Sequence, residues 1–325
     1  MNNSCLIIGL GQIGMDYDFD HVDNDLIYTH SKAIKKHSKF RLVGAVDTSP
    51  KQRDRFQERY ALPVYDNPEV AVQELKPDIV VISTPTQSHA QILLKVLNIY
   101  KPKIILCEKP LAYELSEAKN MVELCKKKDV TLFVNYVRRA DQGVLEIKKR
   151  IESGEIISPI KANVWYSKGI LNNGSHFIDL MSFWLGELKS AEIIDQGRLW
   201  NNFDPEPDFK IEFNLGTAIF RSAWEESFSH YTIELLSRSG RLFYDNGGNH
   251  IEWKAKSKDP NFTGYNILSS NQEILKNSMD IYQWHIYDDI LKYLLGKTTN
   301  MCTGIEALKN LKNIDFILKQ RRKSE

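Results

Sequence analysis

Two sets of residues in this 325-residue chain have the types that meet a substrate oxygen and move a proton. Lys103 to Cys107 reads as a buried apolar strand, and Glu108-Lys109-Pro110 follows it. Proline redirects the chain rigidly, which holds the Lys109 ammonium at the strand end as a point charge for a substrate oxygen. Glu108 suits a sugar hydroxyl or a cofactor ribose. The second set is Asn172-Asn173-Gly174-Ser175-His176, opening an apolar helical stretch that runs to Leu185. A neutral imidazole at that boundary accepts a proton near physiological pH, and Asp179, three residues on, shares its helical face and can orient it. Taken singly, a lysine is ordinarily a surface cation and a buried histidine ordinarily bonds to backbone. The order of roles stays open, because a lysine with a lowered pKa is itself a base.

The N-terminus offers a place for a dinucleotide. The strand Cys5-Leu6-Ile7-Ile8 runs into Gly9-Leu10-Gly11-Gln12-Ile13-Gly14, a G-x-G-x-x-G turn that brings backbone N–H groups up to a pyrophosphate. The hexapeptide is weak alone; its position after a strand points to a dinucleotide. Arg41 to Asp47 reads as the second strand, and an acid at its end accepts from ribose hydroxyls and repels a 2′-phosphate. NAD is therefore the expected cofactor and NADP the alternative, with Lys51 and Arg53 close enough to weaken the discrimination. Thr84, Pro85 and His89 follow the strand Asp78 to Ser83, on the carboxyl edge where such sheets bind ligands; His89 also suits a cap or packing role.

Gly14 and Asp47 are further apart than the roughly 20 residues of the fingerprint. The excess falls in Met15 to Tyr28, which holds Asp16, Asp18, Asp20, Asp23 and Asp25. The D-x-D-x-D start invites a calcium-loop reading, but His21 stands where its glycine belongs and Ile27 where its glutamate belongs, which disfavours an EF-hand. The expectation is a solvated acidic loop turned away from the pyrophosphate, with no metal.

These residues need a frame. Continuous apolar strands alternating with helices up to Val130–Val134 imply a parallel sheet covered on both faces. Beyond it the pattern changes to period-two segments, Phe209–Leu215, Thr217–Trp224, Tyr231–Ser237, Arg241–Tyr244 and His250–Lys254, with turns at Ser239-Gly240 and Asn246-Gly247-Gly248. Helices at Val144–Ser153, Met279–Leu295 and Thr303–Arg321 complete the reading. The fold class is α/β: a doubly wound Rossmann sheet over 1–136, then an α+β domain with an open, mainly antiparallel sheet over 137–325, its last helix able to pack back on the first. Lysine plus arginine (43) nearly balance aspartate plus glutamate (42), so no global field points to nucleic acid or an anionic membrane. No apolar run reaches the roughly 18 residues of a membrane span, and four scattered cysteines without C-x-x-C spacing fit a reduced, cytoplasmic setting.

The glycine turn, the strand-end E-K-P and the later G-S-H-x-x-D, in this order, resemble the glucose-fructose oxidoreductase / inositol dehydrogenase (Gfo/Idh/MocA) family. The likeness extends to the T-P-x-x-x-H stretch and to Asn135-Tyr136-Val137-Arg138-Arg139. It implies a nicotinamide cofactor, a sugar or sugar-derivative substrate, assembly as a homodimer or homotetramer through the second sheet, and Lys109 and His176 as the catalytic pair. One position departs: many members carry aspartate four residues before the histidine, where this chain has Asn172. An amide positions a hydroxyl but takes up no proton. Arg138, Tyr166, Lys168 and Asn173 are the further candidates for substrate, with cations for a phosphate or carboxylate and Tyr166 or Trp165 to stack on a sugar ring. Two other functions fit the same residues: a regulatory protein that binds dinucleotide without turnover, and a reductase of a non-sugar carbonyl or imine.

Overall fold

The computed structural model describes residues 2–20 and 25–323, which form two compact units, Met1–Ala140 with Asp280–Lys309 and Asp141–Met279 with Asn310–Glu325. The first unit is built on β1 (Asn3–Ile8), β2 (Phe40–Val46), β3 (Val64–Tyr65), β4 (Ile79–Ile82), β5 (Ile104–Cys107) and β6 (Thr131–Val134). They pair in parallel in the order β6-β5-β4-β1-β2-β3, and the short strand Cys302–Thr303 adds antiparallel to β6. From Cys5 to Ile8 and throughout β4 and β5 every residue is buried, as strands covered on both faces require. The covering helices are α1 (His30–Lys36), α2 (Pro50–Tyr60), α3 (Pro68–Leu75), α4 (His89–Ile99) and α5 (Leu115–Lys127), joined by a helix at Tyr282–Leu294. Their ends follow the local sequence. Thr29 caps α1 by accepting from the Lys32 amide, Asn67 caps α3, and Pro50 and Pro68 occupy first-turn positions where no amide is needed.

Between the glycine turn and α1 the helix is interrupted rather than absent. Gly11 O accepts from the Met15 amide as a helix would, but Ile13 O accepts from His30 N (3.0 Å) and Gly14 O from Ser31 N (3.1 Å). In an unbroken helix residues 17 and 18 would make those bonds. The ladder thus skips thirteen residues and resumes. Gly14 and Asp47 lie 33 positions apart, and discounting the skipped thirteen leaves 20, the spacing of the uninterrupted fingerprint.

Part of the skipped segment is packed against the protein, contrary to the expectation from its charge, while Asp20 and Asp25 are exposed as expected. Asp18 is 2% exposed; its Oδ2 accepts from the amides of Tyr28 and Thr29 and its Oδ1 from the Thr29 hydroxyl, closing the excursion where α1 begins. Asp16 pairs with Arg55 and takes a hydrogen bond from Gln52, both on α2, and Arg55 lies 4.1 Å over the Phe19 ring. Backbone amides and a guanidinium group thus absorb Asp18 and Asp16, two of the acids that composition alone assigns to water. His21 and Asp23, part of that expectation, lie outside the described residues.

The second unit contains α6 (Gln142–Glu152), β7 (Ile160–Tyr166), α7 (Ser175–Leu185) and strands β8 (Leu188–Trp200), β9 (Asp204–Phe213), β10 (Gly216–Ser222), β11 (Thr232–Leu236), β12 (Gly240–Asp245) and β13 (His250–Lys258), with two short strands, Asn266–Leu268 and Glu273–Ile274, pairing with β13. The order β13-β12-β11-β7-β10-β9-β8 is antiparallel except where β7 meets β10. Tyr166, Phe209, Phe213, Phe220 and Tyr244 point to one face and are fully buried there, as strict alternation dictates. Among the described residues no helix is long and apolar enough to cross a membrane.

Candidate active site

In the first unit the glycine turn and three strand ends enclose a cavity of about 660 Å³, lined by Gly9, Gly11, Asp47, Gln52, Asp66, Ser83, Thr84 and Pro85 among others. Backbone bonds assemble its floor: Gly9 N donates to Val46 O, and Ser83 N to Ile8 O, both at 2.8 Å. Gly9 has φ +103°, and a Cβ there would meet Ser83 O at 2.6 Å, so this corner requires glycine. A Cβ on Gly11 would meet no protein atom within 4 Å. Nothing inside the protein asks for a glycine there; open space in front of it suits the approach of a pyrophosphate. Gln12 is exposed and Ile13 half-buried, their carbonyls engaged with Tyr17 and His30, while buried Gly14 packs its Cα against the Gly9 carbonyl.

Asp47 is bound on both oxygens by backbone, Oδ2 from the Leu10 amide (2.7 Å) and Oδ1 from the Ser49 amide (2.8 Å). A carboxylate has about four acceptor sites, so this leaves room for ribose hydroxyls. Arg53 stands close by, its Nη1 donating to the carbonyls of Asp47 and Thr48. Gln52 joins the cavity to the interrupted helix, donating to Leu10 O at 2.6 Å and to Asp16 Oδ2 at 2.8 Å. These groups fit NAD, with Asp47 and Asp66 opposing a 2′-phosphate.

β5 pairs with β4 in register, Ile82 opposite Cys107, so Glu108 and Lys109 leave the sheet one strand over from the Ser83–Pro85 corner. The Lys109–Pro110 peptide is cis. Glu108 points into the unit: its Oε1 accepts from Asn135 Nδ2 (2.6 Å) and sits 2.9 Å from His30 Nε2. Burial pushes its carboxyl up, but the hydrogen bond and proximity of His30, the Asn135 bond and the Lys109 charge outweigh that and hold it below the ordinary value. His30 was not among the residues that the sequence singles out.

His89 does not line this cavity. It is fully buried, its ring spanning the carbonyls of Thr84 (2.9 Å) and Leu111 (3.2 Å), and burial lowers its pKa. It braces two strand-end loops, and the expectation of a cofactor contact is corrected to that. Arg138 and Arg139 stand in a short turn, Val137–Ala140; Arg139 pairs with Glu306 at 2.7 Å.

In the second unit residues 169–174 form a single π-helical turn before α7. Such turns need outside help for their first amides. Here β9 provides it: Glu206 Oε1 accepts from Gly169 N, and Asp204 accepts from the amides of Leu171 and Asn172. Gly169 has φ +82°, and a Cβ would meet Asp204 Oδ2 at 2.0 Å. This clamp fixes where Asn172 and Asn173 stand. His176, second in α7, is 8% exposed, and Asp179 on the next turn is 2% exposed. Asn173 donates to Tyr231 Oη (3.0 Å); that hydroxyl donates to Glu225, which also receives Lys168, Ser167 and Ser229. Burial raises the Glu225 carboxyl, but these four donors, Lys168 foremost, bring it down to about 2. Glu225 and Tyr231 escaped the sequence reading, since no local pattern ties them to Lys168.

Tyr166 is corrected outright. It is fully buried, its hydroxyl donating to Pro207 O at 2.6 Å and its ring 6.0 Å from Phe209. Strand alternation sends Trp165, half-buried, to the opposite face against His230. No group of three or more His, Cys, Asp or Glu that could hold a metal occurs among the described residues.

Residues 4–136 match a family model described as an oxidoreductase family with an NAD-binding Rossmann fold, GFO_IDH_MocA. Myo-inositol 2-dehydrogenase of Thermotoga maritima is 26% identical over 154 residues, 47% of this chain and 42% of that protein. The scyllo-inositol 2-dehydrogenase (NAD(+)) of Bacillus subtilis is 26% identical over 214 residues, 61% of this chain and 58% of that one. The chain thus spans about half the length of the curated relatives it matches. The WlbA dehydrogenase of Bordetella pertussis, solved with NADH and UDP-GlcNAcA, superposes with a TM-score of 0.74 over 100% of this chain and 98% of its own, at 19% identity. That likeness is one of fold.

Proposed function

With a first domain that belongs to the Gfo/Idh/MocA oxidoreductases and carries their NAD-binding Rossmann fold, we propose that the chain is an NAD-dependent dehydrogenase of a sugar-type polyol hydroxyl. The observation that carries the reading is the cavity bounded by the glycine turn, Asp47 and the β4 corner, with Lys109 at the end of the neighbouring strand. When bound there, NAD+ supplies the hydride acceptor. Gly11 and its neighbours hold the pyrophosphate, and Asp47 the adenosine ribose. The Lys109 ammonium steadies the negative charge that grows on the substrate oxygen as its proton leaves. His176 takes that proton on a ring nitrogen, Asn172 positions the hydroxyl without sharing in proton transfer, and reduction runs the same roles backwards. Asn173, Lys168 and Arg138 belong to the surrounding substrate contacts. Because Lys168 already pairs with Glu225, we favour a neutral ring polyol over a phosphorylated or carboxylated one, and the inositols of the curated relatives are the first compounds to try.

The test is NADH formation across inositols, aldoses and sugar acids. Lys109→Met and His176→Ala are expected to lower kcat by about 10²- to 10⁴-fold; full kcat in either variant overturns the assignment. Asn172 also favours a second reading, a dinucleotide-binding regulator, which NAD binding without turnover on the whole panel would support. The proposal extends to a homodimer or homotetramer through the outer face of the second sheet, where Trp165, Arg221, Glu234 and Phe243 line a shallow depression.

A further inference from the structure

His30 is the residue at which the interrupted ladder resumes, and its two ends touch different machinery. Its amide donates to Ile13 O in the glycine turn. Its side chain, fully buried, has Nε2 at 2.9 Å from Glu108 Oε1 and Nδ1 at 2.8 Å from Gln283 Nε2 and 3.0 Å from Tyr287 Oη. An ionised carboxylate only accepts, so Nε2 carries the proton and Nδ1 receives the Gln283 amide. Asn135, at the end of β6, closes the ring by donating to both Glu108 and Gln283. His30 from α1 and Asn135 after β6 thus bond the carboxylate that follows β5, and Gln283 and Tyr287 of the Tyr282–Leu294 helix brace His30. These bonds hold the ring's members against one another, while the buried Asn135 Oδ1 accepts none among the described residues.

We propose that His30 is a positioning residue for Lys109: the rejoined helix delivers it to Glu108, and its Nε2 proton pins that carboxylate beside the lysine, so that Lys109 works as a fixed cation and not as the base. The inference rests on the reading of Lys109 as the group that meets the substrate oxygen. A carboxylate next to an ammonium favours the charged lysine, which leaves proton removal to His176. The titratable and charged groups around Glu108 are His30, Lys109, Cys107, His89, Tyr282 and Tyr287.

Trace acetylation of Lys109 with acetic anhydride, followed by mass spectrometry on the full-length chain as pH is raised, reads the lysine directly with or without NAD+. Glu108→Gln and His30→Leu are expected to move its labelling midpoint downward by about one pH unit, a tenfold rise in free amine at fixed pH. His30→Gln, which keeps an N–H donor, returns most of the shift. In turnover, His30→Leu lowers kcat about tenfold or more while KM for NAD+ changes less than about twofold. An unchanged midpoint in Glu108→Gln and His30→Leu overturns the inference, as does a His30→Leu defect confined to the KM for NAD+. Should His30→Leu fail to fold, His30→Asn, too short to reach the carboxylate, must reproduce the downward shift. Full kcat in Lys109→Met would instead sink the role given to the lysine, while the labelling would still judge the His30–Glu108 link by itself.

Discussion

Asp47 holds the Leu10 amide of the glycine turn with one oxygen and the Ser49 amide with the other, so it shapes the cofactor cavity as well as facing into it. Hydrogen bonds to a charged acceptor contribute roughly 1.5–3 kcal/mol each. Asp47→Ala is therefore expected to raise the KM for NAD+ by about tenfold or more and to narrow the preference over NADP+, with a smaller change in kcat; steady-state kinetics with both cofactors checks it. Gly9, Gly11, Asp47 and Lys109 were legible in the sequence because each is defined by its distance from a strand end. His30, Glu225 and Tyr231 were not, because their partners are far off in sequence: Gln283 for His30, Lys168 for Glu225. Tyr166 misled for a local reason, since one step along a strand exchanges the core face for the outer one.

The interrupted helix is held shut by Asp18, a buried acceptor for two amides and a hydroxyl. Asp18→Ala strands those donors, and the expected cost is about 2 kcal/mol, measured as a lower urea midpoint at unchanged slope. At this scale the sequence was informative where period and turns agreed: β2, β4, β5, α7 and β10 to β12 fall within a residue or two of their expected limits. β8 was missed. Its pairing with β9 shifts register between Leu188 and Ser190, between Ile193 and Asp195, and between Asp195 and Arg198, and each shift resets the alternation by which a strand is recognised. The insertion was visible as excess spacing, but its length in the ladder needed the bonds from His30 and Ser31.

Across the whole molecule, acid sensitivity follows from carboxylates with depressed pKa values. Glu225 titrates from about 4.5 when unfolded to about 2 when folded, so its stabilisation is complete above the unfolded value and lost as pH falls through that window. Thermal melts of wild type and Glu225→Gln should therefore differ most at neutral pH and converge near pH 2. The outer sheet face makes a separate claim: light scattering at micromolar concentration is expected to show a dimer or tetramer, and Trp165→Glu to shift it towards monomer, whereas a monomeric wild type would contradict that assembly. The ladder that jumps from Gly14 to Ser31 has a further use. Its two rims are already bonded to each other, so the loop between them begins and ends at one point, and doubling its length costs only about 0.6 kcal/mol of closure entropy. That makes it a natural socket: a small fluorescent reporter domain spliced there would ride directly on the turn that grips the cofactor, and would turn occupancy of that turn into light.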